Sequence, residues 1–209
     1  MQDAAKSYKF KVVLLGEGAV GKSSLLLRYV QNNFSQKHLS TIQASFLSKK
    51  LKLDGNDIDL SIWDTAGQEK YHALGPIYYR GSNGVLLVYD ICDQRSFEKV
   101  KMWVRELQLA LGDSAQLMII GNKLDLAIGR TVDRSTAEEF AESIKAMYSE
   151  TSAKDNVGIA EAFEELCEKM IESSNQADEN APEAVRTMRR IQLVDDSEID
   201  EGRRGKCCR

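Results

Sequence analysis

The nonapeptide GEGAVGKSS, Gly16 to Ser24, follows the apolar run Val12-Val13-Leu14-Leu15. Its pattern, Gly16-x-x-x-x-Gly21-Lys22-Ser23, combines loose backbone, one ammonium and hydroxyls in the way a phosphate cradle requires. Backbone N–H groups from Gly16 through Gly18, Ala19, Val20 and Gly21 to Ser24 can point at phosphate oxygens, and the start of a helix adds positive partial charge. Lys22 would reach the β- and γ-phosphates of a nucleotide, and the Ser23 hydroxyl would sit on Mg²⁺. A glycine-rich strand-to-helix turn without a ligand is the plainer alternative. The nonapeptide alone selects neither a base nor a reaction.

Base identity comes from Asn122-Lys123-x-Asp125, just after the apolar run Leu117–Ile120. The Asp125 carboxylate can accept hydrogen bonds from both N1–H and the exocyclic amine of guanine. Adenine has no such donor pair and would leave Asp125 unpaired, which is costly in a dry site. Ser152-Ala153-Lys154 supplies a backbone N–H for the guanine oxygen and a lysine stem to cover the ring. The third element is Trp63-Asp64-Thr65-Ala66-Gly67-Gln68. Asp64 would hold the magnesium through water, and Gly67 has no side chain to keep its N–H from the γ-phosphate. Gln68 is placed to orient an attacking water rather than to deprotonate it. Thr41, in a polar loop, would complete the metal shell with its hydroxyl.

The elements that must position these residues follow from hydrophobic periodicity. Lys9–Leu15 reads as a strand and Gly21–Gln31 as a helix with Leu25, Leu26 and Tyr29 inward. Asn32 to Ala44 reads as a loop. Ser45–Leu53 and Ile58–Trp63 form a hairpin around Asp54-Gly55-Asn56, a turn longer than two residues. Val85–Tyr89 and Leu117–Ile120 are short unbroken apolar runs, as expected of strands covered on both faces. Phe97, Val100, Val104 and Leu107 recur at helical spacing, as do apolar residues in Thr136–Ile144 and Ile159–Ile171, with a strand at Met147–Glu150. The order predicts an α/β fold, a doubly wound and mostly parallel six-stranded sheet with helices on both faces and ligands at the carboxyl ends of its strands. Residues 1–8 form a short extension, 9–173 the nucleotide-binding domain, and 174–209 a polar, flexible tail.

Composition sets limits on partners. A net charge of −4 argues against a broad nucleic-acid surface. The amino-terminal MQDAAKSYKF lacks the apolar stretch of a secretory signal. No apolar run approaches the roughly 20 residues needed to cross a bilayer. Cys92 and Cys167 read as small buried hydrophobes, and with His38 and His72 the cysteines show no zinc spacing. Cys207 and Cys208, adjacent at the carboxyl terminus, stand apart from them.

Across about Lys9–Ile171 the chain resembles the Ras superfamily of small GTPases, and within it the Rab family. The strings Ser40-Thr41-Ile42-Gln43-Ala44-Ser45-Phe46 and HALGPIYYR, His72 to Arg80, are similar to the early-endosomal branch of Rabs. The resemblance implies GTP and GDP as substrate and product, Mg²⁺ as cofactor, and Phe34 stacked on the guanine. It makes Lys37–Ser45 and Gly67–Arg80 the two segments that respond to the γ-phosphate. Phe46, Trp63 and Tyr78 match the aromatic triad presented to effectors. Gly18 stands where the family needs a small residue for the hydrolytic water. One departure is Glu69-Lys70-Tyr71, where Rabs usually carry Glu-Arg; the charge is kept and the guanidinium fork lost, which bears on partner choice.

The end Arg203-Arg204-Gly205-Lys206-Cys207-Cys208-Arg209 resembles the double geranylgeranylation signal of Rabs. Two lipids hold a protein on a bilayer where one is marginal, and the flanking cations favour anionic lipid. The resemblance implies an exchange factor, a GTPase-activating protein, effectors, a GDP-dissociation inhibitor and a prenylation escort protein, at the cytoplasmic face of early endosomes and in the cytosol. No motif places an arginine in cis over the γ-phosphate, so intrinsic hydrolysis by Gln68 and Lys22 is expected to be slow. A P-loop kinase would need an acceptor-binding segment and an arginine-bearing lid, neither of which the sequence offers. A nucleotide-locked scaffold without useful turnover is the other alternative.

Overall fold

A computed structural model describes residues 6–35, 41, 44–65, 75–112 and 114–180. The chain divides into two units, Met1–Met170 and Ile171–Arg209. Among the described residues the first contains six strands: β1 (Ser7–Leu15), β2 (Ser45–Leu53), β3 (Asn56–Asp64), β4 (Gly84–Asp90), β5 (Gln116–Asn122) and β6 (Met147–Thr151). Helices α1 (Lys22–Gln31), α2 (Gly75–Tyr79), α3 (Gln94–Leu111), α4 (Arg134–Ser143) and α5 (Ile159–Asn180) connect or follow them. Of the second unit, the described residues are the carboxyl-terminal part of α5.

The strand order is β2-β3-β1-β4-β5-β6. Only β2 runs antiparallel, against β3, while β1–β3, β1–β4, β4–β5 and β5–β6 are parallel pairs. Parallel strands covered by helices on both faces must be apolar throughout, and Gly84 to Tyr89 is buried at every position. Alternation splits these side chains between two layers. Val85, Leu87 and Tyr89 join Phe97, Val100, Val104 and Leu107 of α3 and Ala137 and Ala141 of α4 in one cluster. On α1, Leu25, Leu26 and Tyr29 are buried, and Tyr29 stacks on Phe163 of α5 with ring centroids 3.8 Å apart.

Several boundaries differ from the sequence reading by a residue or more, three of them with a clear physical reason. The β2–β3 turn has two residues, because Leu53 pairs with Asn56 and leaves only Asp54 and Gly55 between them. Both have positive φ, 49° and 79°, which makes the right-handed twist of a tight hairpin possible. The first strand starts at Ser7 rather than Lys9; Tyr8 is buried opposite Ile58 and stacks on Phe10. Helix α5 runs to Asn180, past the Ser173 where apolar periodicity stops, through good helix formers such as Gln176 and Ala177. Two elements carry no period to read: the single turn α2 and a 3-10 helix at Leu124–Gly129. Among the described residues no helix is long and apolar enough to cross a membrane.

Candidate functional site

The chain leaves β1 toward β2 and β3 on one side of the sheet and leaves β4 toward β5 on the other. That reversal opens a crevice at the carboxyl ends of β1 and β4. The loop Gly16–Gly21 occupies it. A Cβ on Gly16 would stand 2.1 Å from the Val88 carbonyl oxygen, so the loop lies directly on β4. Gly21, the N-cap of α1, has φ 98°, and a Cβ there would stand 2.4 Å from Asn122 Nδ2. The loop backbone thus approaches two strands more closely than any side chain would allow.

Lys22 opens α1 and is buried. Its ammonium folds back over the loop, donating to the Gly16 carbonyl at 2.9 Å and the Glu17 carbonyl at 2.8 Å. Burial pulls its pKa down to about 8 against the partial restoration by Asp64 and Glu17. A poorly hydrated cation is a strong attractor for phosphate, because little water must be removed to pair it.

One residue further, Ser23 Oγ donates to Asp64 Oδ2 at 2.5 Å and lies 2.9 Å from Thr41 Oγ1. Three oxygens from three segments therefore meet: the first turn of α1, the loop before β2 and the last residue of β3. Their chemistry is a test of the metal. Two hydroxyls and one buried carboxylate are hard oxygen donors, which fit Mg²⁺ with phosphate oxygens and water completing the shell. Among the described residues no three His, Cys, Asp or Glu side chains converge to hold a metal ion. Thr65, which the sequence reading passed over, donates to the Leu14 carbonyl at 2.7 Å and ties the end of β3 to β1 beneath this cluster.

The base side is built on the ends of β5 and β6. Asn122 is buried and donates from Nδ2 to the Val20 carbonyl at 2.8 Å, while Thr151 Oγ1 donates to its Oδ1 at 3.1 Å. It thus ties the phosphate loop to β5 and β6. Lys123, at φ 69°, pairs with Asp90 at 2.7 Å. Asp125 Oδ1 accepts from Ser152 Oγ at 2.7 Å, and Lys154 Nζ lies 3.7 Å from its Oδ2. Ala153 is buried between Ser152 and Lys154. Asn122, Lys123, Asp125 and Ser152–Lys154, separate in sequence, therefore form one contiguous wall.

Behind that wall stands a network without a sequence motif. Arg130 makes a fork to Glu150, at 2.6 and 2.9 Å, and Tyr148 donates to the same carboxylate at 2.9 Å. Burial alone would raise the Glu150 pKa, but Arg130 and Tyr148 more than reverse it and hold it below the ordinary value. Because Arg130 follows the 3-10 helix and Glu150 precedes Thr151, the pair fastens the Asp125 segment to the Ser152 segment.

On the opposite flank, Phe46 and Trp63 are cross-strand partners in T-shaped contact, 5.4 Å between centroids, and Tyr78 lies 6.2 Å from Trp63. Phe46 is 50% and neighbouring Ile77 70% exposed. Gly67, Gln68, Cys207 and Cys208 lie outside the described residues, as does Lys70.

Comparison with known proteins bears on the whole chain. The Ras family model matches residues 11–172. The chain is 54% identical to the Ras-related protein Rab-21 of Homo sapiens, over 98% of this chain and 93% of that protein. It is 48% identical to the Ras-related protein Rab-21 of Dictyostelium discoideum, covering 100% and 99%. The Ras-related protein Rab-5A of Dictyostelium discoideum is 39% identical over the full length of both chains.

Proposed function

The chain belongs to the Ras family of GTP hydrolases, in its Rab branch, and from that premise we propose that it is a membrane-recruited switch of early endosomal traffic. The observation that carries this reading is the meeting of Ser23, Thr41 and Asp64 beside buried Lys22. A triphosphate would lie along Gly16–Ser24, its oxygens facing the loop N–H groups and Lys22. Mg²⁺, when bound, supplies neutralising charge to the phosphates; Ser23 and Thr41 would hold it directly and Asp64 through water. Asp125 would read the guanine edge, Ala153 would offer a backbone N–H, and Phe34 and Lys154 would cover the ring.

Hydrolysis needs alignment and charge more than covalent chemistry. Gln68 would orient the attacking water, the Gly67 N–H would serve the γ-phosphate, and Gly18 would leave room for the water and for a partner's side chain. An arginine in trans from an activating protein would accelerate the step. Thr41 joins the metal-side hydroxyls to the loop before β2, so loss of the γ-phosphate would release that loop. The row of exposed Phe46 and half-buried Trp63 and Tyr78, flanking that loop and the Gln68 segment, suits recognition of the GTP form by effectors. Prenyl groups on Cys207 and Cys208 would anchor the chain to the cytoplasmic leaflet. An exchange factor, a GDP-dissociation inhibitor and a prenylation escort protein complete the cycle.

Single-turnover hydrolysis by the full-length protein, alone and with an activating protein, tests the reading. Gln68→Leu should slow GDP formation roughly tenfold or more. Equal rates for the wild type and the variant under both conditions would favour a nucleotide-locked scaffold instead.

A further inference from the structure

We propose that Arg28 is a positioning residue of the base site, setting how tightly and how selectively guanine is retained; the inference rests on the guanine reading above. Arg28 lies in the last turn of α1, six residues after Lys22, about 9 Å along the helix. Its guanidinium reaches two separate pieces of chain, Ala153–Lys154 and Asn32–Phe34. Nε donates to the Ala153 carbonyl at 2.9 Å and Nη2 to the Lys154 carbonyl at 3.2 Å. Nη1 donates to the Asn32 backbone oxygen at 3.1 Å and to its Oδ1 at 3.2 Å. The same group lies over the Phe34 ring, 5.8 Å from its centroid.

Each contact has a consequence for the base. Asn32 is the left-handed C-cap of α1, φ 50°, from which the chain turns toward Phe34. A cation at a helix carboxyl end also complements the helix dipole. Holding Asn32 and Phe34 together fixes the approach of the ring assigned to the guanine face. On the other side, two successive carbonyls fix two successive peptide planes. The second plane, joining Lys154 to Asp155, is gripped at both edges: Arg28 binds its oxygen, and its N–H donates to Ser152 Oγ at 3.0 Å. Ser152 Oγ in turn donates to Asp125 Oδ1 at 2.7 Å. Arg28 therefore reaches the carboxylate that reads the base through one peptide group and one hydroxyl. A planar fork can hold two carbonyls at once, which a lysine ammonium on a flexible stem does far less well. Helix α1 thereby serves both ends of the nucleotide, the phosphates by its first turn and the base by its last.

The experiment is nucleotide release from full-length protein saturated with Mg²⁺, followed with fluorescent GDP and with the inosine analogue, which lacks the exocyclic amine. Arg28→Ala should release GDP about tenfold faster, the loss of one or two charged hydrogen bonds. It should also shrink the preference for GDP over the inosine analogue, because Asp125 loses its fixed orientation. Arg28→Lys, which keeps charge and stem, should show both changes at smaller size, and it carries the test if the alanine variant does not fold. Unchanged GDP release in both variants would overturn the proposal. So would acceleration of both nucleotides by the same factor, which is what general loosening produces. A wild type that shows no preference for guanine over hypoxanthine would overturn the guanine reading itself, an outcome separate from either of these.

Discussion

Replacing Gly21 with alanine puts a methyl group 2.4 Å from Asn122 Nδ2 and a side chain on a residue at φ 98°. The left-handed backbone alone costs about 1–3 kcal/mol for a residue with a Cβ. The larger effect lies in Asn122, which is 1% exposed and pinned between the Val20 carbonyl and Thr151. It cannot move aside without losing the 2.8 Å bond to Val20, and a buried amide left unsatisfied costs about 1–3 kcal/mol more. The sum, about 2–6 kcal/mol, corresponds to a fall in melting temperature of roughly 5–20 °C for a chain of this size. Thermal or urea unfolding of the full-length protein measures it. A double-mutant cycle isolates the cause: in an Asn122→Ala background the methyl group has space, so Gly21→Ala should cost only its backbone strain. A single variant melting within about 2 °C of wild type, or strictly additive effects in the cycle, would refute the argument that Asn122 clamps the phosphate loop.

Two further outcomes follow from the same geometry. Asp125→Asn keeps the shape but turns one of the two guanine acceptors into an amide donor and removes the charge behind the other; losing one hydrogen bond to a charged group should weaken GDP binding about 10–10³-fold, and a titration within threefold of wild type would contradict the assignment. For Lys22, whose folded pKa is lowered to about 8 by burial, the cost of holding the charge is fully present below pH 8 and is relieved as pH rises toward the ordinary 10.5. Phosphate binding favours the charged form, so nucleotide affinity should be flat below about pH 7.5 and fall above pH 8 by up to about tenfold per unit. An affinity constant to pH 9.5 would show that Lys22 is not the phosphate's cation.

Much of this arrangement was legible in the residues, and what was not has a common physical reason. The phosphate loop, the Asp125 segment and the strand after Lys9 could be read because each is local: a spacing, a turn, an apolar run. The two-residue hairpin turn was obscured because Asn56 is a turn former by type, yet it pairs with Leu53 as a strand residue. Asn122 was read as part of a base-recognition motif, whereas its amide also braces the phosphate loop 102 positions away. Arg28 and Arg130 had no signature at all, and Thr65 lay inside the Asp64 motif without a role of its own. Their partners, at Ala153, Glu150 and Leu14, become neighbours only when the sheet assembles. Short elements such as Gly75–Tyr79 are set by what they pack on and show no period of their own.

The nucleotide carried by the freshly purified full-length protein tests the central claim most directly. Denaturing it, and separating what is released by anion-exchange chromatography, should yield GDP or GTP in a ratio near one per chain. Protein that emerges empty, or loaded with an adenine nucleotide, would contradict the account from the phosphate loop onward.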